Sequence, residues 1–223
     1  MSIRVRYEKG LKEVSDNLVL MCRYIEAAIE KCLKALVDRD FELAAEVYNE
    51  DKLINRMERD IEQACLKLLM MEHPVAGDFR DVTAALKMIT DLERIGDQAQ
   101  DIAEITMQFG DEEYIKKLEH IPLMATIAIG MVRDGLQAYI NRDLELARDI
   151  GKTDDRVDEL FSTITNDLIA LVKKNPENAE QALKFMMIAK YLERIGDHAV
   201  NIGEWVEYAI TGAHPKNEKY RIS

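Results

Sequence analysis

The sequence predicts an all-α protein made of two tandem, similar three-helix bundles, with six helices in total. The first reason is an internal repeat: residues 92–99 return as residues 192–199, with seven of the eight positions identical. The second is that apolar residues recur at spacings of three and four, whereas no useful stretch alternates with the period of two typical of strands. The third is a composition rich in helix-forming residues, with only 4 prolines and 10 glycines.

The repeat extends well beyond these two segments, which we call the first and second acidic boxes. Residues 39–44 match residues 142–147 at an offset of 103, and the offset falls to 100 at the boxes. Small deletions between matching blocks belong in the connections between elements. The duplication therefore divides the chain into a first three-helix domain, residues 1–112, and a second one, residues 113–223.

Each helix is predicted from its apolar spacing and from the residues that interrupt it. The turn at residues 38–40 separates the first two helices, and Pro74 ends the second because the residue before a proline avoids helical angles. Asp78 or Asp81 stands at the positive end of the third helix, which suits a carboxylate. The tail from Gly212 is expected to fray. The predicted helices cover residues 11–37, 41–71, 78–109, 118–140, 143–174 and 177–211.

Composition and charge exclude several classes of function. The net charge is −12 and no basic run is present, which argues against nucleic acid and favours cations or basic protein surfaces as partners. The 3 cysteines form no Cys-x-x-Cys pair, which favours buried free thiols in a reducing compartment. The start of the chain lacks an apolar signal core, and residues 121–132, the longest apolar run, fall short of the ~20 residues of a membrane span. We therefore expect a cytoplasmic protein without a transmembrane segment.

The unusual chemistry of this sequence lies in stacked carboxylates. At about 100° per residue, four acidic residues of the third helix project within one arc of roughly 80°: Glu93, Asp97, Asp101 and Glu104. The apolar residues of that helix centre about 130° away, so the carboxylates line a flank and not the core. The sixth helix repeats the arrangement with Glu193, Asp197, Asn201 and Glu204. Like charges at i,i+4 cost ~0.2–0.5 kcal/mol per pair, so a repeated stack suggests a function.

The second helix of each half adds a further polar pair at i,i+4. If it is a neighbour of the third helix, the two sets converge in an all-oxygen site. Such a site suits Mg²⁺, Mn²⁺, Ca²⁺ or iron better than zinc or copper. The alternative is a solvated acidic face without a ligand. The predicted metal ligands are Glu93, Asp97, Asp101, Asp51 and Asn55 in the first half, and Glu193, Asp197, Asn201, Asp154 and Asp158 in the second.

The two predicted sites differ in detail. Asn201 stands in place of Asp101, which gives the second site one fewer negative ligand. His198 is expected to lie beside the site or at the surface, without binding the metal directly. Gly96 and Gly196 each cost ~1 kcal/mol in a helix interior. Both lie on the apolar arc, so we expect another helix to approach closely at each glycine.

The usual sequence signals of catalysis are missing. Neither His-Glu-x-x-His nor Gly-x-Ser-x-Gly occurs. The chain also lacks the Glu-x-x-His pairs that di-iron carboxylate bundles generally use. Residues 151–153, Gly-Lys-Thr, imitate the end of a phosphate-binding loop, but the preceding glycine is absent and the pattern there is helical. We therefore predict that the protein is not an enzyme.

The two acidic boxes resemble those of the PhoU family. The hallmark of that family is an Asp/Glu-x-x-x-Asp pair in the last helix of each three-helix half, here Glu93 with Asp97 and Glu193 with Asp197. The resemblance covers nearly the whole chain and agrees in length, duplication and helix order. It implies two three-helix bundles with pseudo-twofold similarity. It also implies metal ions, often iron, zinc, manganese or magnesium, held on the acidic helix faces.

The same resemblance implies a function in phosphate signalling. PhoU proteins repress the phosphate-starvation response when phosphate is plentiful. They act as adaptors between the ATPase subunit of the phosphate ABC transporter and a phosphate-sensing histidine kinase. By resemblance, this chain is expected to be a non-enzymatic negative regulator that meets the membrane only through its partners, with a homodimer as an open option. The alternative is a metal-dependent helical-bundle enzyme or a metal-storage protein. The flank position of the acids argues against a buried storage core.

Overall fold

The computed structural model describes residues 3–71, 75–110 and 113–213, without the side chains of Ile3, Asp51 and Met71. These residues form six long α-helices and one 3-10 turn, Pro176–Asn178, and no strand occurs among them. The predicted all-α class and helix order are confirmed. The helices are α1 Ile3–Asp38, α2 Phe41–Met71, α3 Ala76–Met107, α4 His120–Asn141, α5 Leu144–Lys174 and α6 Ala179–Thr211.

The helices pack as two three-helix halves that are joined along their third helices. α1 packs on α2 and α3, and α4 packs on α5 and α6, while α3 lies along α6 and α1 touches α4. α3 and α6 run antiparallel, because Asp91 is bonded to Asn201 whereas Asp101 is bonded to Tyr191. The helices that carry the acidic boxes therefore form the central pair of the molecule.

One apolar core extends through both halves. The periodic residues that predicted an amphipathic first helix form its buried face; Leu18 and Ile25, for example, are 0% exposed. The core also contains the thiols, which are free, as the sequence predicted. Burial raises the pKa of Cys22, Cys32 and Cys65 to about 12 in each case. These groups are therefore protonated and unreactive in the folded protein.

The first helix begins at Ile3, well before the predicted start at residue 11. The cause is a set of contacts to the start of α3 that periodicity does not reveal. Tyr7 is 2% exposed, and its hydroxyl donates to the carbonyl oxygen of Asp78 at 2.8 Å. Arg4 Nη1 lies 2.7 Å from Asp78 Oδ2, which also accepts from the backbone amide of Val75 at 3.3 Å. Asp78 thus stands at the start of α3, as predicted, and fixes the start of α1.

The same turn precedes the second helix of both halves. Arg39 and Arg142 adopt the left-handed conformation, with φ of 58° and 54°, and end the preceding helix. Asp40 and Asp143 then cap the next helix by accepting from the backbone amide three residues later, at 3.0 Å in both halves. The predicted break at residues 38–40 is therefore a turn used twice.

No helix in the described part of the chain is long and apolar enough to cross a membrane. α2 ends at Met71, and Pro74, which was predicted to end it, lies outside the described residues. Gly212 caps α6 in the left-handed conformation, with φ of 77°. The remainder of the tail predicted to fray, from residue 214, also lies outside the described residues.

Candidate functional site

The two acidic boxes lie midway along the central helices, and their glycines admit the neighbouring helix. A Cβ atom built on Gly96 would lie 3.0 Å from Ile54 Cγ2 on α2. A Cβ atom built on Gly196 would lie 2.8 Å from Asp154 Oδ1 and 3.5 Å from Val157 Cγ1, both on α5. The predicted close approach at both glycines is confirmed, and the second and third helices of each half are neighbours.

In the first half, one arginine lies beside both carboxylates of the box. Arg94 Nη1 lies 3.0 Å from Asp97 Oδ2, and Arg94 Nε lies 3.5 Å from Glu93 Oε2. The two carboxylates are half-buried, whereas the arginine is 55% exposed. Positive charge on a flexible, exposed side chain therefore offsets the stacked acids.

A further carboxylate of α2, Glu58, joins this acidic face. Burial raises the pKa of Glu58, the nearby Glu62 raises it further, and Asp97 of α3 adds a smaller contribution. Glu58 was not predicted from the sequence because it lies outside the i,i+4 pairs that recur in both halves. Asn55 is half-buried, while the side chain of Asp51 lies outside the described part of the structure.

In the second half, the structure brings a buried carboxylate to the acidic box. Asp154 is 1% exposed and lies against Gly196, which stands between Glu193 and Asp197 in the chain. Glu193 is half-buried and lies 2.5 Å from Lys190 Nζ. Asp197 and Asp158 are exposed. Of the two predicted carboxylates of α5, Asp154 therefore lies next to the box, at a buried position and not on a flank.

Two of the predicted ligands, Asp101 and Asn201, lie at the contact between the halves. Asn201 Nδ2 donates to Asp91 Oδ1 at 3.1 Å, and His198 Nδ1 lies 2.9 Å from the same oxygen. Asp101 accepts a hydrogen bond from Tyr191. Burial raises the pKa of Asp101, and the neighbouring carboxylates of Asp97 and Glu104 raise this pKa further. Asp101 and Asn201 thus have partners on the opposite half.

Sequence reasoning missed Asp91 and Tyr191, although the repeat contains a signal for both. At the box offset of 100, Asp91 corresponds in sequence to Tyr191, and Asp101 corresponds to Asn201. The residue type therefore differs between the halves at both positions. The structure shows that the differences are complementary. Asp91 and Asp101 of α3 each accept a hydrogen bond from a side chain of α6. His198, expected beside the site or at the surface, is a half-buried member of this contact.

The donor chemistry of these faces suits a hard cation, because it consists of carboxylate and amide oxygens. The carboxylate of Asp154 is buried and lies against the helix that carries the second box. Among the side chains that the structure describes, no three His, Cys, Asp or Glu groups are arranged to hold one ion. Arg94 and Lys190 lie where a cation would compete for the same oxygens.

Replacing Gly196 by alanine is expected to destabilise the protein by ~1–3 kcal/mol. The new Cβ would lie 2.8 Å from the buried Asp154 carboxylate, in a packed contact between α5 and α6. Gly151→Ala is the matched control, since its Cβ would meet nothing within 4 Å and alanine favours helix by ~1 kcal/mol. Urea unfolding measures both. A Gly196→Ala protein as stable as Gly151→Ala would contradict the packing described.

Comparison with known proteins identifies both halves. The PhoU domain family matches the chain twice, at residues 18–106 and 121–206. A protein from Clostridium acetobutylicum, described as a phosphate-specific transport system accessory protein PhoU homolog, is 35% identical over 92% of this chain and 94% of its own length. A protein of the same description from Pseudomonas aeruginosa is 32% identical over 94% of this chain and 87% of its own length.

Solved structures agree with the fold. The crystal structure of PhoU from Pseudomonas aeruginosa superposes with a TM-score of 0.88 at 31% identity, covering 93% of this chain and 100% of that one. The phosphate transport system regulatory protein PhoU from Streptococcus pneumoniae superposes with a TM-score of 0.87 at 26% identity, covering 94% of this chain and 99% of that one. The tandem arrangement of two similar three-helix halves is therefore shared with solved proteins.

Proposed function

Because the chain belongs to the PhoU family, we propose that it regulates phosphate transport as an accessory protein that acts by binding and not by catalysis. The observation that carries the proposal is the pair of family matches, one on each half, each containing an acidic box. The curated relatives are aligned over most of their length and are named as accessory proteins of the phosphate transport system. The proposed place of action is the cytoplasm.

The proposed mechanism is that of an adaptor. One partner is the ATPase subunit of the phosphate ABC transporter, and the other is a sensor histidine kinase that reports phosphate supply. The protein represses the starvation response by favouring one conformation of the kinase, and it must bind that conformation more tightly, because a ligand shifts an equilibrium only by differential affinity. A net charge of −12 suits basic surfaces on these partners.

The proposal includes metal ions on the two acidic faces. The proposed carboxylate ligands are Glu93, Asp97, Asp101 and Asp51 in the first half, and Glu193, Asp197, Asp154 and Asp158 in the second. The proposed amide ligands are Asn55 in the first half and Asn201 in the second. A bound cation would supply positive charge that these stacked oxygens otherwise obtain from Arg94 and Lys190. Iron, manganese, magnesium and zinc are the candidates. A metal-storage role has less support, because most of these carboxylates lie at half-buried or exposed positions.

A phosphate-starvation reporter tests the regulatory proposal directly. In a host that lacks its own PhoU protein, the reporter is active even in high phosphate. Expression of this chain is expected to restore repression in high phosphate and to leave induction in low phosphate intact. A reporter that stays active while the protein is folded and abundant would contradict the adaptor function. Co-purification with the ATPase subunit and the kinase then distinguishes loss of one partner from loss of both.

A further inference from the structure

A cavity of about 210 Å³ lies between α1, α2 and α3 in the first half. Lys31 and Glu50 are the charged residues in its lining, and Lys31 Nζ lies 2.8 Å from Glu50 Oε1. Their side chains are 37% and 51% exposed, so this ion pair stands at the rim of the cavity. Most of the wall is apolar, and its main contributors are Tyr24, Ala28, Val47, Leu53, Ile54 and Ala99.

The second half fills the equivalent space with its own side chain. At the offset of 103 that relates α1 to α4, Ala28 corresponds to Met131. Met131 is 1% exposed, and its Cε lies 3.7 Å from the position of a Cβ on Gly196. In the first half, Ala28 and Gly96 line the cavity instead. The space thus follows from a small residue at one position, within a helix arrangement that both halves share.

The polar rim also belongs to the first half alone. At the same offset, Lys31 corresponds to Asp134 and Glu50 to Thr153. An aspartate and a threonine cannot form the ion pair that spans the rim in the first half. The first half therefore differs from the second in two ways at this cavity. It has an open apolar space, and it has an ion pair beside that space.

We propose that this cavity is a binding site for a small, mostly apolar molecule with one polar group. The apolar part, a single ring or a short branched chain, occupies the space beside Ala28 and is held by exclusion from water. The polar group meets Lys31 and Glu50 at the rim. A dry cavity of about 150 Å³ accommodates benzene in a well-studied case, so 210 Å³ admits a substituted ring. The site goes beyond the proposed adaptor function and requires neither metal nor protein partners.

Toluene serves as the probe, and thermal unfolding followed by circular dichroism reports its binding. At roughly ten times its dissociation constant, toluene is expected to raise the Tm of the wild-type protein by about 3 °C. Ala28→Met, which copies the side chain of the second half, is expected to abolish that shift. Met131→Ala opens the equivalent space and is expected to retain a shift at least as large as that of the wild type.

Crystals of the wild-type protein under xenon pressure locate the site without any variant. Xenon is expected beside Ala28 in the wild type, and beside residue 131 as well in Met131→Ala. Equal toluene shifts in the wild type and in folded Ala28→Met would overturn the proposal, because binding would then lie elsewhere. Absence of both a toluene shift and xenon density in the wild type would overturn it as well. Neither result bears on the reporter experiment, so failure of the two proposals can be told apart.

Discussion

Replacing His198 and Asn201 together by alanine is expected to lower the free energy of unfolding by about 3–5 kcal/mol. Both side chains reach Asp91 Oδ1, at 2.9 and 3.1 Å, and Asp91 is only 9% exposed. Their removal leaves a buried carboxylate without these two partners at the contact between α3 and α6. Chemical denaturation with circular dichroism and fluorescence measures the loss. Because the contact between the halves is weakened, unfolding should also become less cooperative.

A third substitution isolates the cause of that loss. Adding Asp91→Asn to the double variant removes the buried charge and is expected to recover most of the lost stability, because an amide costs less to bury than a carboxylate. His120→Ala with Asn141→Ala on α4 is the matched control, expected to change stability by about 1 kcal/mol or less. A triple variant as unstable as the double one would show that lost packing, and not the charge of Asp91, is responsible.

Replacing Asp97 and Asp197 together by asparagine is expected to abolish retention of bound metal while the helical content stays unchanged. Each substitution removes a carboxylate from a stack of like charges, so the metal-free protein should be as stable as the wild type or slightly more stable. Arg94 would lose its 3.0 Å partner Asp97 but keep its contact with Glu93. Metal analysis of protein reconstituted with iron, manganese, magnesium or zinc and then desalted provides the measurement.

Asp38→Asn with Asp60→Asn is the matched control for metal retention. Both aspartates are exposed and lie outside the boxes. The control therefore removes as many negative charges as the box variant without altering the proposed ligands. This control should retain metal at the wild-type ratio. Equal metal content in the box variant and the wild type would refute the ligand assignment. Equal loss in both variants would mean that the acidic surface attracts cations without a defined site.

The features that the sequence predicted are those encoded by local patterns or by the repeat. Apolar periodicity identified the helices because helical packing follows it directly. The repeat identified the boxes, and the cost of glycine in a helix predicted the close approach at Gly96 and Gly196. The turn at residues 38–40 followed from the interruption of two periodic segments. None of these inferences required knowledge of which residues distant in the chain meet.

The features that escaped prediction all depend on such distant contacts. In sequence, Asp91 resembles any surface aspartate. The structure shows that Asn201, which stands in place of Asp101, donates a hydrogen bond to Asp91 across the contact between α3 and α6. Tyr7 lies before the predicted start of the first helix, and the hydrogen bond of its hydroxyl to a carbonyl oxygen of α3 joins residues that are distant in the chain. Asp154 was predicted as a metal ligand, but its burial was not predicted, because the burial depends on the absence of a side chain at the distant Gly196.

At the α3–α6 contact, α3 supplies two carboxylates and α6 supplies their hydrogen-bond donors, so the first half cannot take the place of the second. A chain built from two first halves would set an aspartate at the place of Tyr191 and another at the place of Asn201. Each would then oppose a carboxylate of α3, so both ends of the contact would repel. The second half can therefore not be exchanged for a copy of the first without placing like charges at this contact.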